Sequence, residues 1–189
     1  MNMKKAFIII LFCFFCSFFT EAQNHLKFMG ISMGGDINSF VNSLVQKGFR
    51  VDYTGKHRDW NNVAYEDWAT LSGPFWDFDW VDIVVQAPYE DGGVSYVEVN
   101  GNGTRSNREQ FERLIKSLDK KYGRHKVQRD HIAAGDYLYT WNLSNGTIQV
   151  WKSVGYNSED GKCNLDIRYN DKPRMQRKVS KKRKHANDL

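Results

Sequence analysis

Trp76, Phe78 and Trp80 alternate with Asp77 and Asp79 in the stretch LSGPFWDFDWVDIVV, residues 71–85. A period of two puts three large rings on one face of a strand and two carboxylates on the other. Rings of this size offer a wide amphipathic surface, so one expectation is a platform for a sugar or a peptide. The competing expectation is burial, the usual fate of rings in a patterned strand. Asp77, Asp79 and Asp82, with Glu90 and Asp91 beyond, form the densest acidic group, and Gly92 and Gly93 would give the loop the flexibility that a calcium site uses. Side chains that project in parallel from a strand do not wrap an ion. A solvated face is therefore the better expectation, and no metal or cofactor is assigned.

Other chemistries find little footing. The five histidines (His25, His57, His125, His131 and His185) are scattered, without H-x-H, H-E-x-x-H or paired Cys/His spacing. There is no G-x-S-x-G and no glycine-rich phosphate loop. An enzyme is not expected; an enzymatic reading would need Asp or Glu residues brought together on a sheet. The clearest charge feature is the end of the chain, KPRMQRKVSKKRKHANDL, with eight basic residues against one acidic. It lacks apolar periodicity and reads as a disordered basic tail over 172–189. Lys178, Lys181, Lys182, Arg183 and Lys184 are its candidates for holding a polyanion or an anionic surface. The formal net charge of +5 thus averages a mildly acidic body and a basic tail.

The opening residues set the expected compartment. Lys4 and Lys5 precede an uncharged run from Ala6 to Phe19, and Thr20 and Ala22 occupy the small-residue positions of a cleavage site before Gln23. The run is shorter than the ~20 residues of a spanning helix. Residues 1–22 are expected to be a signal peptide and the mature chain exported, periplasmic or extracellular, with no transmembrane segment. Cys13 and Cys16 leave with that leader, and Cys163 alone cannot form an internal disulfide. A lipoprotein would need a small residue just before the acylated cysteine, where Phe12 and Phe15 stand.

The elements that must position the aromatic run follow in order. Leu26 and Phe28 lie in a first strand, HLKFMGI. Asp36 is placed to cap a helix whose apolar positions Ile37, Phe40, Val41, Leu44 and Val45 share one face, with Gly48 as its stop. Phe49–Tyr53 reads as a strand, and 54–62 as a polar loop carrying His57 and Trp60. Strands at about 64–71, 75–86 and 94–99 follow. Ser106 and Glu109 form a capping box for a second helix with Phe111, Leu114, Ile115, Leu118 and Tyr122 on its apolar face and Gly123 at its end. Tyr137–Leu143 and Thr147–Val154 flank Ser144-Asn145-Gly146, a strong hairpin signal. Cys163–Tyr169 reads as the last strand. This order predicts an α+β fold: an antiparallel sheet with two amphipathic helices packed on one face, built as a tandem helix-then-strands repeat. One α+β domain is expected over 23–171, with halves 23–104 and 105–171.

HLKFMGI, FVNSLVQKGF, LSGPFWDF, FERLIKSLDKKYG and IRYND together resemble a family of small exported bacterial proteins of unknown function. In arrangement alone, the tandem units are similar to the beta-lactamase inhibitor protein, with no functional residue matched. The resemblance implies export and a packed sheet-and-helix body, not an activity. Ser32, where the family often has proline, and the basic tail depart from it. The functional expectation is an exported, non-enzymatic binding or inhibitor-like module whose sheet contacts an unknown protein or glycan. Trp60, Trp68 and Trp76 are its candidate ligand-binding residues. The alternative is an envelope-associated structural protein attached to acidic surfaces by its tail.

Overall fold

The computed structural model describes residues 24–59, 61–62, 64–88, 92–101, 108–129, 136–153 and 164–176. β1 (Lys27–Phe28) and β2 (Ile31–Ser32) form a small hairpin. Met29 and Gly30 turn it, both at positive φ, the backbone that a two-residue type I′ turn requires. α1 (Ile37–Val45) starts at Asp36, whose carboxylate accepts a hydrogen bond from the Ser39 amide at 3.0 Å.

Four strands follow as a meander: β3 (Arg50–Arg58), β4 (Ala64–Phe75), β5 (Phe78–Pro88) and β6 (Tyr96–Asn100). After α2 (Arg108–Tyr122) comes a second meander, β7 (Lys126–Arg129), β8 (Tyr137–Leu143), β9 (Gly146–Ser153) and β10 (Asn164–Asp171). The two join through β6 and β10 into one eight-stranded antiparallel sheet, ordered β3-β4-β5-β6-β10-β9-β8-β7.

The expectation of two helices packed on one face of an α+β sheet is corrected by this architecture. The chain is mostly β, an eight-stranded sheet plus a two-stranded one, with short helices and far fewer helical than strand residues. The sheet is larger than expected because polar segments extend it. Thr54–Arg58, read as loop, continues β3 alongside β4, and Lys126–Arg129 pairs with β8 as a further strand. These are the two edge strands. An edge strand half-exposed to water carries no apolar alternation to announce it. Both edges are blunted: β7 is four exposed residues, KVQR, and β3 carries Arg50, Lys56 and Arg58 with two register irregularities.

The aromatic run is also rearranged. Trp76 and Asp77 form the turn between β4 and β5, with Phe75 paired to Phe78, so Trp76 stands at φ 53° outside the strand. Phe78 is buried, whereas Trp76 and Trp80 are about half exposed. Asp77 pairs with Arg113 of α2 at 2.5 Å, tying the turn to the helix.

One face of the sheet carries the core. Val81, Ile83 and Val85 of β5, Val97 and Val99 of β6, and Ile167 of β10 are buried there. Phe40, Val41 and Leu44 of α1 and Phe111, Leu114 and Leu118 of α2 belong to the same cluster. Phe28 sits among rings, stacked on Phe75 at 5.7 Å, edge-on to Tyr169 at 5.1 Å and tilted to Phe40 at 6.5 Å. Each such pair contributes ~0.5–1.5 kcal/mol beyond the area it buries.

Asp171, fully buried at the end of β10, closes the structure. Its carboxylate accepts from the Leu26 amide at 2.7 Å and pairs with His25 Nδ1 at 2.8 Å, so the start of the body is held to its end. Gly34 admits the His25 ring: a Cβ there would lie 2.1 Å from it. The chain then continues into a helical turn at 172–176, where Arg174 Nη2 donates to the Gly34 carbonyl at 2.5 Å. Removing a buried carboxylate strands the groups that bonded to it. Asp171→Ala is expected to lower stability by ~3 kcal/mol, read as a fall in the urea midpoint. A shift smaller than ~1 kcal/mol would show that the clasp is dispensable.

Candidate functional site

The face of the sheet opposite the core is where the remaining aromatics and charges collect. Along 81–87 of β5, 96–100 of β6, 146–151 of β9 and 165–171 of β10, buried residues alternate with partly exposed ones. Register then arranges the alternate residues in rows across the strands. One row runs Thr140, Gln149, Arg168, Glu98, Val84, Thr70 and Tyr53; its neighbours contain Leu138, Trp151, Asp166, Asn100 and Asp82 on one side, and Asn170, Tyr96, Gln86 and Trp68 on the other. None of the core-cluster residues belongs to these rows.

The centre of the face is charged and internally bonded. Arg168 Nη2 donates to Asp166 Oδ2 at 2.9 Å and to Glu98 Oε1 at 3.3 Å, while the Tyr96 hydroxyl donates to Glu98 Oε2 at 2.7 Å. Burial, reinforced by Glu98, pushes the Tyr96 phenol well above its usual range. Burial also raises the Asp166 carboxyl; Arg168 opposes this rise and Glu98 adds to it. Arg168 remains a firm cation, because its acidic neighbours outweigh the burial that would disfavour its charge. Trp151 Nε1, Asp166 Oδ1 and Arg168 Nε are buried without a hydrogen-bond partner among the described residues. Two donors and one acceptor on neighbouring strands are thus unfilled, an arrangement that native cores avoid.

A second aromatic group lies toward the β3 edge. Trp68 contacts Tyr53 at 4.9 Å and stacks against His57 at 5.0 Å, with ring planes 17° apart. Trp80, farther along the sheet, has the Arg50 guanidinium 5.6 Å from its ring. The face therefore offers rings at both sides of a central ion-pair group.

Of the expected ligand-binding residues, Trp68 lies on this face and Trp76 lies elsewhere, in the β4–β5 turn with its ring 5.9 Å from Phe78. Trp60 and the tail residues Lys178, Lys181, Lys182, Arg183 and Lys184 fall outside the described residues, as do the leader, Ser106 and Cys163. Tyr96, Trp151 and Arg168 join the candidate residues here, and the period-two alternation of YVEVN, GTIQVW and NLDIRYND contains the signal for them. His57 belongs to β3, not to a loop. His125 is a structural residue: its Nδ1 pairs with Asp119 at 2.7 Å, and Asp119 also accepts from Trp141 Nε1 at 3.1 Å. No group of three or more potential metal ligands occurs among the described residues. No described helix is long and apolar enough to cross a membrane.

The chain matches no family model, no curated protein and no solved structure.

The raised Asp166 carboxyl makes a signed prediction. A carboxyl whose folded pKa lies above its unfolded one destabilises the fold when ionised; the penalty is absent below the unfolded pKa and complete above the folded one. Asp166→Asn, with Glu98 still pairing Arg168, is expected to be more stable than the natural chain at neutral pH by less than ~1 kcal/mol. The difference should fade as pH is lowered through the raised pKa. Urea melts at neutral and acidic pH check it, and a neutral-pH loss of stability would refute the destabilising charge.

Proposed function

We propose that this chain is an exported, non-enzymatic binding module, inhibitor-like in character, whose open sheet face takes up a protein partner. The observation that carries the proposal is the pattern of that face: Tyr53, Trp68, Tyr96 and Trp151 spread around the Arg168, Glu98 and Asp166 group, with polar atoms left unfilled at its centre. Large rings with few rotatable bonds bury area at small entropic loss, and Trp, Tyr and Arg dominate the energetics of protein interfaces. The central ion pairs would give register and orientation more than affinity.

Breadth favours a protein over a glycan. Eight strands spaced at ~4.8 Å extend over roughly 30 Å, ample for the ~800 Å² that each partner buries in a standard interface. Export is supported by the leader features of residues 1–22 and by the resemblance to small exported bacterial proteins.

Photo-crosslinking tests the surface directly. A photoreactive residue at Thr70 or Gln149, on the open face, is expected to trap a partner from the envelope fraction; the same group at Lys116, exposed on α2, is not. Trp68→Ala and Trp151→Ala should each weaken the trapped complex by ~2 kcal/mol, about thirtyfold. Equal trapping from Lys116, or a complex indifferent to both tryptophans, would refute the proposal.

A further inference from the structure

A cavity lies on the core side of the sheet, away from the open face. It has a volume of about 290 Å³ and opens between α2, the β1–β2 turn and the β4–β5 turn. Its walls are apolar: Met29, Phe75, Trp76, Leu114, Leu118 and Tyr169. Ser117 and Lys121, exposed on α2, and the partly buried Tyr122 complete its lining. Lys121 and Tyr122 also line a neighbouring cavity of about 470 Å³, whose other walls include His25, Lys27, Ser144 and Asn145. The two are parts of one groove, apolar at one end and polar at the other.

Two observations point to a ligand. First, the groove has a single sign of charge. Lys121 and Lys27 line it, no Asp or Glu is among its lining residues, and neither lysine makes an ion pair among the described residues. The Lys121 ammonium lies 4.9 Å from the Tyr122 ring, at the junction of the two cavities. Second, the backbone is strained where it lines the apolar end. Among the described residues, three non-glycine positions have positive φ: Met29, Asn62 and Trp76. Two of them are in this cavity's wall. Each is the first residue of a two-residue hairpin turn, a position that a bulky residue seldom occupies. The two turns thereby place a thioether and an indole against one apolar space.

We infer that this groove binds a small amphipathic monocarboxylate, its apolar chain enclosed by Met29, Trp76, Leu114 and Leu118 and its carboxylate held by Lys121. An apolar space of this size leaves its lining without dispersion partners on one side, which an alkyl chain supplies. The volume lies at the low end of ligand pockets, so a medium chain fits better than a long one. A carboxylate at the junction meets the Lys121 ammonium, with Lys27 reinforcing the positive potential.

Titration calorimetry of the whole exported chain with decanoate, kept below its micelle concentration, tests the assignment. Decanoate is expected to bind saturably, 1-decanol more weakly, and decyltrimethylammonium least. Lys121→Glu should weaken decanoate at least ~tenfold, with decanol unchanged. Ser117→Phe, a substitution at an exposed position that fills the mouth, should abolish both, with the thermal melt showing that the fold is kept. Absence of saturable binding, equal affinity for the anion and the cation, or undiminished decanoate binding by Lys121→Glu would each overturn the inference.

Discussion

The seam between β6 and β10 is the interaction on which the remaining structure depends. Five register pairs, from Asp166 with Asn100 to Asn170 with Tyr96, connect segments some 70 residues apart. On one side of this ladder Val97, Val99, Ile167 and Tyr169 enter the core; on the other Tyr96, Glu98, Asp166 and Arg168 form the charged centre of the open face. Core and candidate site thus share one backbone. A site built on central strands inherits their rigidity, which preorganises its side chains. The same seam is non-local, so the chain must close a long loop before this pairing contributes.

The ends of the body are joined by a different kind of contact. Asp171 holds His25 and the Leu26 amide, its own amide donates to the Ser95 carbonyl at 2.9 Å, and Arg174 reaches the Gly34 carbonyl. These bonds fasten the β1–β2 hairpin against the sheet, and with it Phe28 and Met29. The position of the strained Met29 turn beside α2 therefore rests on a carboxylate at the far end of the sequence. Open face and apolar groove lie on opposite sides of the sheet, where Tyr169 lines the groove and its chain neighbour Arg168 the face.

Local chemistry was legible in the sequence where one residue type decides the matter. Asp36 caps α1, and Gly48 and Gly123 follow the two helices at positive φ. The β8–β9 hairpin was legible too, although the observed turn is Ser144-Asn145 and Gly146 already pairs with Leu143. Gly146 is there because a Cβ would lie 2.3 Å from the Asn170 carbonyl oxygen, a cross-strand approach invisible in sequence. The turn at Trp76-Asp77 was hidden because WDFDW alternates from Trp76 to Trp80, and only the pairing of Phe75 with Phe78 reveals the break. The extent of the sheet was hidden because edge strands need no apolar face. Of the candidate site, Trp68 could be named from its type; the convergence of Glu98, Asp166 and Arg168 could not, since it depends on which strands are neighbours.

The blunted edges decide how this protein can meet other molecules. An open sheet with free rims can recruit strands by backbone hydrogen bonding, which is indifferent to side chains and prone to run on into polymers. Here one rim is only four residues long, with Lys126, Gln128 and Arg129 beside the single apolar Val127, and the other is basic and irregular. Strand addition at either rim is thereby disfavoured, which leaves side chains and not main chain as the exposed chemistry of the sheet. A surface that is read through side chains can change its partner by single substitutions while the ladder beneath stays the same.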